Sequence, residues 1–545
     1  MSNLLPFVVA MIVTMMLLPL LSRAAKRWRF VDQPGLRKVH TTPIPRVGGL
    51  AMAAGVVIAA LLTIRLQLPD LWLLAGAAVI VLFGALDDRF DLDYRVKLVG
   101  QVLAVALVVF GGDVQIRSFT LVDRIMLPAW ISLPLSVFFL VGITNAINLA
   151  DGLDGLAGGT TFLSLCAVAL LSTIGDTGSG LALALAFSGA VLGFLRFNTY
   201  PASVFMGDAG SQLLGYTIGV LSIRATQNPA SPVSAALPLL LLALPILDTL
   251  SVMVQRISEG RSPFSPDKNH IHHKLLALGF EHHEAVMVIY AIQSVLFLVA
   301  YFLRYESDLL ILALVTTLFA AAILALQVAS RQQWQLREVW TGSGERTRGP
   351  LGGLVRPRSW ARLTHGALTF ALCLYAFGIV SQSAAFTADL RVFISLLLAT
   401  AGFAAIIMRG GDLTVIERGA LFVTAAVLVY RDTLVLPPDP LLTPLCWGAV
   451  GIAGIAVVLR LGLFSDRQFR VTPLDIIVLF MALVVPSLIG NRTLPHGGAL
   501  AIGKLVIIFY GLELLTNHTQ LRAMWVRIGL VAVLGGLALR AWTTA

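Results

Sequence analysis

The sequence predicts an all-α, polytopic integral membrane protein, and three observations carry that expectation. Of the 545 residues, 57% are apolar and only 12% charged, where a soluble domain carries roughly a quarter charged residues. Apolar runs of about 20 residues, the length that spans a hydrocarbon core, recur from Leu4 to the C-terminus. Nearly all Lys, Arg, Asp and Glu fall in the short stretches between those runs.

The first run, Leu4 to Leu21, has no basic residue before it and no small-residue cleavage site after it, so it reads as a retained span. Arg23, Lys26, Arg27, Arg29, Arg37, Lys38 and Arg46 follow in one dense loop, which the positive-inside tendency assigns to the cytoplasm. Further spans are expected near 47–64, 70–86, 97–111, 129–147, 156–174, 180–195, 211–226, 234–254, 285–303 and 308–328, about eleven with the first. This alternation leaves 22–46, 87–96, 148–155, 196–210 and 255–284 inside, and these five segments hold the suggestive polar motifs. One cytoplasmic site in a membrane domain over 1–330 is the expectation.

Residues 331–362, rich in Arg and Gly, read as a basic cytoplasmic linker. An extension over 363–545 is expected to add about seven spans, near 366–384, 391–408, 418–435, 442–463, 473–490, 498–515 and 526–541, with no role legible. Cys166, Cys373 and Cys446 lie inside apolar segments and read as small hydrophobes. The net charge of +10 comes from loops beside spans, which fits a membrane protein and not a nucleic-acid binder.

Four constellations carry chemistry. The third span ends VLFGALDDRF, placing Asp87 and Asp88 side by side at a helix end. Two adjacent carboxylates repel, so they call for a cation, and phosphoryl transfer uses carboxylates for Mg2+ or to activate a nucleophile. The fifth span ends NAINLADGLDGLAGG, with Asn145, Asn148, Asp151 and Asp154 at three-residue intervals. Its glycines break the helix, letting backbone N–H groups and the next helix start approach an anion. In FNTYPASVFMGDAGS, Asp208 stands between glycines at a helix start and suits a carboxylate that shares Mg2+ with a diphosphate, or a helix cap. NHIHHKL gathers His270, His272 and His273 among basic residues, with His270 and His273 on one face if helical, and reads as a phosphate cradle. Zinc is the rival there, but no cysteine is near.

In order, DD, NAINLADGLDGLAGG, FNTYPASVFMGDAGS and NHIHHKLLALGF closely resemble the polyprenyl-phosphate N-acetylhexosamine-1-phosphate transferases, over about residues 1 to 330. HIHHKL and RKVHTTPIPRVGG resemble the branch that loads GlcNAc-1-phosphate. The resemblance implies Mg2+, with Mn2+ as an alternative, on Asp208, and a lipid-phosphate role for Asp87 and Asp88, with Asp87 activating the nucleophile. It implies that Asp151 and Asp154 line the nucleotide-sugar site, Asn198 and Phe205 contact the uridine, and the three histidines bind the diphosphate. Lys97 would attract the lipid phosphate, and Arg37, Lys38, His40 and Arg46 would close one side of the cleft. The implied reactants are undecaprenyl phosphate and a UDP-N-acetylhexosamine, in the bacterial inner membrane, with a homodimer left open. The extension has no counterpart in the simplest family members. A CDP-alcohol phosphatidyltransferase would need an Arg that DGLDGLAGG lacks. A flippase or transporter for a lipid-linked sugar would place its acids near mid-membrane.

Overall fold

The computed structural model describes residues 5–28, 30–33, 43–120, 124–174, 179–228, 232–262, 270–278 and 280–331, then 358–382, parts of 386–402, 415–435, 439–463, 498–516 and 520–543. It is helical nearly throughout. The chain forms two compact units, Met1–Gly342 with Thr472–Ile477, and Ser343–Val471 with Val478–Ala545. Among the described residues, nine helices are long and apolar enough to cross a membrane.

The helices of the first unit are α1 Leu5–Trp28, α2 Gly48–Thr63, α3 Leu68–Phe90, α4 Tyr94–Ala106, α5 Ala129–Ala150, α6 Leu156–Ser172, α7 Ser179–Asn198 and α8 Gly207–Gln227. They continue with α9 Leu237–Leu241, α10 Ala243–Ser258, α11 Ile271–Ala277, α12 His282–Phe302 and α13 Asp308–Arg331. Two short antiparallel ribbons join them: β1 Val31–Asp32 with β2 Ile44–Pro45, and β3 Ser118–Thr120 with β4 Arg124–Met126.

The core is made of α6, buried at every residue, and α8, buried from Ala209 to Ile223. Around them pack α3 and α5 against α8, and α7 and α12 against α6, while α1 lies on α2 and α7. The outer faces stay apolar: Leu62, Trp130 and Phe138 are 73%, 75% and 77% exposed. Water would leave such faces poorly solvated, whereas lipid matches them, and helices satisfy their own backbone groups there.

Helix boundaries follow local chemistry. Helix α3 starts at a reciprocal cap between Gln67 and Asp70, with Pro69 in its first turn, and ends where Asp91 takes a left-handed backbone, φ 49°. The span expected over 234–254 is instead two helices, α9 and α10, split at Leu242. Pro245 has no N–H to return to the carbonyl four residues back. That carbonyl, Leu241 O, accepts Gln293 Nε2 at 2.9 Å and Ser164 Oγ at 3.0 Å.

The second unit has helices α14 Arg358–Ser381, α15 Val415–Tyr430, α16 Leu442–Leu463, α17 Gly498–Thr516 and α18 Gln520–Thr543, with a π-helical turn Arg431–Val435 extending α15. Helix α14 packs against α16, α17 and α18 around Tyr375, Ile379, Leu428, Cys446 and Ile508. The expected linker, apart from its ends, and the expected span at 473–490 lie outside the described residues.

Candidate active site

Polar side chains from seven segments of the first unit meet at one end of the bundle. The connection 91–93 folds α4 back along α3 after the left-handed Asp91, and Asp93 caps α4 by accepting the Arg95 N–H at 2.8 Å. Lys97, in the first turns of α4, thereby pairs with Asp87, in the last turn of α3. Lys97 Nζ also lies 3.1 Å from Asp208 Oδ2. Asp87 is buried, and its Oδ1 accepts the Leu92 N–H at 2.8 Å. One ammonium thus holds two carboxylates, one from α3 and one from α8.

Asp88 has a different partner. Its two oxygens accept the N–H groups of Asp208 at 2.9 Å and Ala209 at 3.1 Å, so Asp88 is the cap of α8, supplied from another helix. Gly207 makes this possible: its φ is +69°, and a Cβ there would lie 2.3 Å from Asp88 Oδ2. Arg46 pairs with Asp32 and approaches Asp88 to 4.0 Å. Segment 44–46 is held against the α7–α8 loop by the Phe205 N–H on Pro45 O at 2.8 Å. Phe205 stands in that loop, beside Arg46. Arg37, Lys38 and His40 lie outside the described residues.

From the end of α5, Asn148 Nδ2 reaches Asp208 Oδ1 at 3.1 Å and Ser211 Oγ at 2.8 Å. Asn145 Nδ2 donates to Gln101 Oε1 at 2.7 Å, and Gln101 Nε2 donates to Gln212 Oε1 at 3.1 Å, an amide network that fixes α4, α5 and α8 together. The expected break after α5 is present: α5 stops at Ala150, and α6 begins after Gly155 at φ +82°. Asn198, 3% exposed, ties this turn to the α7–α8 loop. Its Oδ1 accepts the Gly155 N–H and its Nδ2 donates to Val204 O, both at 2.9 Å. Asp154 Oδ2 accepts the Ala202 N–H at 2.9 Å in the same seam.

Asp151 directly follows α5 and is exposed. Desolvation by the protein packed around it, followed by the fields of Asp208, Asp154 and Asp88, pushes its carboxyl up to about 7.

The histidines border the same turn. A Cβ on Gly152 would lie 2.3 Å from His272 Nε2, so the imidazole rests against the glycine. His270 is not on a common helical face with His273, because α11 starts at Ile271 and His270 precedes it. The His270 and His272 rings stack at 5.7 Å, and His273 tilts against His272 at 4.3 Å. Burial, with His273 adding to it, pushes His272 down to about 4, which leaves it neutral near pH 7.

Asp248 on α10 anchors this group, and sequence reasoning missed it. It bonds His270 Nδ1 at 2.8 Å and accepts the Ile271 N–H at 2.6 Å, capping α11. The available signal was a lone carboxylate in the apolar run ALPILDTLSVMV, costly unless used. Also missed were Gln101, Gln212, Asp32, and Tyr200, which stacks on His282 at 5.5 Å.

Five carboxylates, Asp87, Asp88, Asp151, Asp154 and Asp208, thus gather about Lys97 and Arg46. That anionic excess suits a divalent cation. Among the described residues no three His, Cys, Asp or Glu side chains form a closed cage. An open donor set with Asp208 and Asp87 is what Mg2+ takes when phosphate oxygens and water complete its shell. The residues present therefore fit the ion.

Such a seam of carboxylates, amides and imidazoles at the end of a membrane-helix bundle defines a class. Residues 71–226 match the model of glycosyl transferase family 4. The chain belongs to this family. It is 39% identical over 290 residues, 52% of this chain and 80% of the relative, to the probable undecaprenyl-phosphate N-acetylglucosaminyl 1-phosphate transferase of Bacillus subtilis. It is 38% identical over 299 residues, 49% of this chain and 73% of the relative, to the decaprenyl-phosphate N-acetylglucosaminephosphotransferase of Mycolicibacterium smegmatis. It is 32% identical over 276 residues, 49% and 74%, to the undecaprenyl-phosphate alpha-N-acetylglucosaminyl 1-phosphate transferase of Escherichia coli K12.

Proposed function

We propose that the first unit transfers N-acetylhexosamine 1-phosphate, specifically GlcNAc-1-phosphate, from its UDP-sugar to undecaprenyl phosphate. The reaction releases UMP and starts a cell-envelope polysaccharide at the cytoplasmic face of a bacterial inner membrane. The observation that carries this reading is the convergence of Asp87 and Asp208 on Lys97, with Asn148 on the other oxygen of Asp208. The named activities of the three relatives support it.

An oxygen of the lipid phosphate forms a bond to the sugar-linked phosphorus, and the bond from that phosphorus to the UMP oxygen breaks. One phosphoanhydride replaces another, so the reaction is reversible, and catalysis is mainly positioning and charge compensation. Bound Mg2+, held by Asp208 with Asp87 beside it, would offset the charge of the diphosphate. Lys97 attracts the lipid phosphate, and Asp87 takes its last proton where one remains. Asp88 and Gly207 set the start of α8 and so aim Asp208. Neutral His272 meets the diphosphate as a hydrogen-bond partner more than as a cation, with His270 and His273 beside it. Asp151 and Asp154 line the nucleotide-sugar side, Phe205 packs on the uridine, and Asn198 holds the two loops that frame it.

The test is UMP release from UDP-GlcNAc by the purified full chain, with and without undecaprenyl phosphate and Mg2+, alongside Asp208→Asn and Asp87→Asn. Release that needs the lipid and the ion, and is lost in both variants, is expected. Silence with every UDP-sugar tried would remove the transferase reading and favour a transporter.

A further inference from the structure

The second unit holds a buried charge cluster that this reaction does not use. Asp432 Oδ2 accepts the Tyr375 hydroxyl at 2.9 Å and Lys504 Nζ at 2.6 Å, and both ionic side chains are 5% exposed. Lys504 lies 4.1 Å from the centroid of the Trp447 ring. Next to this satisfied pair, Arg431 is 1% exposed, with its guanidinium 3.6 Å from the centroid of Phe386. Among the described residues its Nε and Nη1 have no hydrogen-bond partner. A buried guanidinium with unmet donors is among the costliest arrangements a protein can carry. Its carboxylate neighbour in sequence, Asp432, is already engaged by Lys504 and Tyr375.

The surroundings share its sign. Arg391 Nε donates to the Phe386 carbonyl at 3.1 Å, so Phe386 is contacted by two arginines. Arg540 Nη2 reaches the Ser381 carbonyl, at the end of α14, at 3.2 Å. Among the described residues, Lys504, Arg431 and Arg391 thus gather near one carboxylate, Asp432. The π-helical turn Arg431–Val435 turns the backbone out of register at this point, as such turns do at binding sites. Tyr375, Trp447 and Lys504 lie within about two turns of the helix ends Ser381, Leu442 and Gly498. Trp447 and Trp542 are 42% and 61% exposed, as interfacial tryptophans are. Helix ends flanked by exposed tryptophans belong at the membrane interface, the level of lipid headgroups.

We propose that this end of the second unit binds the phosphoryl group of a membrane lipid, with Arg431 as its principal donor and Phe386 holding the guanidinium plane. The unmet Nε–H and Nη1–H groups lie in one fixed plane, and each can donate to a phosphoryl oxygen. The net positive cluster supplies the countercharge without a metal ion. The chemistry fits either a glycerophospholipid phosphodiester or a polyprenyl phosphate.

The experiment is native mass spectrometry of the detergent-purified full chain, titrated separately with phosphatidylglycerol, undecaprenyl phosphate, neutral diacylglycerol and inorganic phosphate. Wild type is compared with Arg431→Met and Arg431→Lys. One phosphate-bearing lipid is expected to bind wild type with one equivalent more than Arg431→Met, or at least about tenfold tighter, the loss expected for one charged hydrogen-bonding side chain. Arg431→Lys should be intermediate, which keeps the test sound if the Met variant does not fold. In lipid-free detergent Arg431→Met should melt no lower than wild type, since it removes a buried unpaired charge. Equal lipid binding by wild type and both variants, or diacylglycerol or free phosphate binding as tightly as the phosphate-bearing lipids, overturns the proposal. Whichever of the two lipids shows the difference identifies the source of the phosphoryl group.

Discussion

The two units each place a Lys–Asp pair near the end of a helical bundle, and the neighbours of that pair give it opposite character. In the first unit Lys97 is outnumbered: it bridges Asp87 and Asp208, with Asp88, Asp151 and Asp154 nearby. In the second, among the described residues, Asp432 is outnumbered by Lys504, Arg431 and Arg391. The first cluster is short of positive charge and suits anionic reactants only when a cation joins them. The second can take an anion directly. A buried ion pair therefore says little about ligand class until the surplus charge around it is counted.

The comparison can be broken most decisively at Asp208. Asp208→Asn should lower UMP release by about a thousandfold, roughly 4 kcal/mol of barrier, with little change in melting temperature. An effect below about tenfold would mean that the carboxylate excess is not what the reaction uses. Gly207→Ala comes next. It forces a Cβ into the Asp88 carboxylate at a left-handed backbone, and should cost about 1–3 kcal/mol of stability together with most of the activity, measured by thermal melting and UMP release.

Asp248→Asn should weaken the anchoring of His270 and the cap of α11, raising KM for the UDP-sugar by about tenfold with a smaller change in kcat. Asp151→Asn acts through pH. Because folding raises this carboxyl from 3.8 to about 7, the native state binds a proton that the unfolded chain has released between those values, and stability falls as pH rises through that window. The Asn variant should therefore match wild type near pH 4 and be the more stable at pH 8, and its activity profile should lose an inflection near pH 7. The smallest effect is expected in the other unit: Arg431→Met should leave UMP release within about twofold, separating the two clusters functionally.

Individual residues show how far the chain could be read in advance. The helix end near Asp87, the break at Gly152 to Gly155 and the start at Gly207 were legible because each is a local event: a carboxylate after an apolar run, or glycine where the backbone must turn. The role of Asp88 was not. Its carboxylate caps a helix that begins 119 residues later in the chain, at Gly207, and no spacing rule relates the two. Asp248 escaped for the same reason, since its partners His270 and Ile271 come from another helix and the loop before it. The split of the ninth expected span followed from Pro245, but the donors that satisfy Leu241 O came from α6 and α12.

What the sequence determined by itself was the solvent and the reagents. Long apolar runs can be stable only in lipid, and carboxylates, amides and imidazoles at their ends are costly enough to imply use. What only the tertiary structure decided was which charge meets which. Lys97 bridges Asp87 and Asp208, Asp88 is spent on a helix cap, His272 stays neutral, and Arg431 keeps donors unmet among the described residues. Those outcomes depend on distances of a few ångströms between segments tens to hundreds of residues apart. Hydrogen bonds and ion pairs fall off over just that range, and hydrophobic patterning, which fixes which face of each helix is buried, leaves them open.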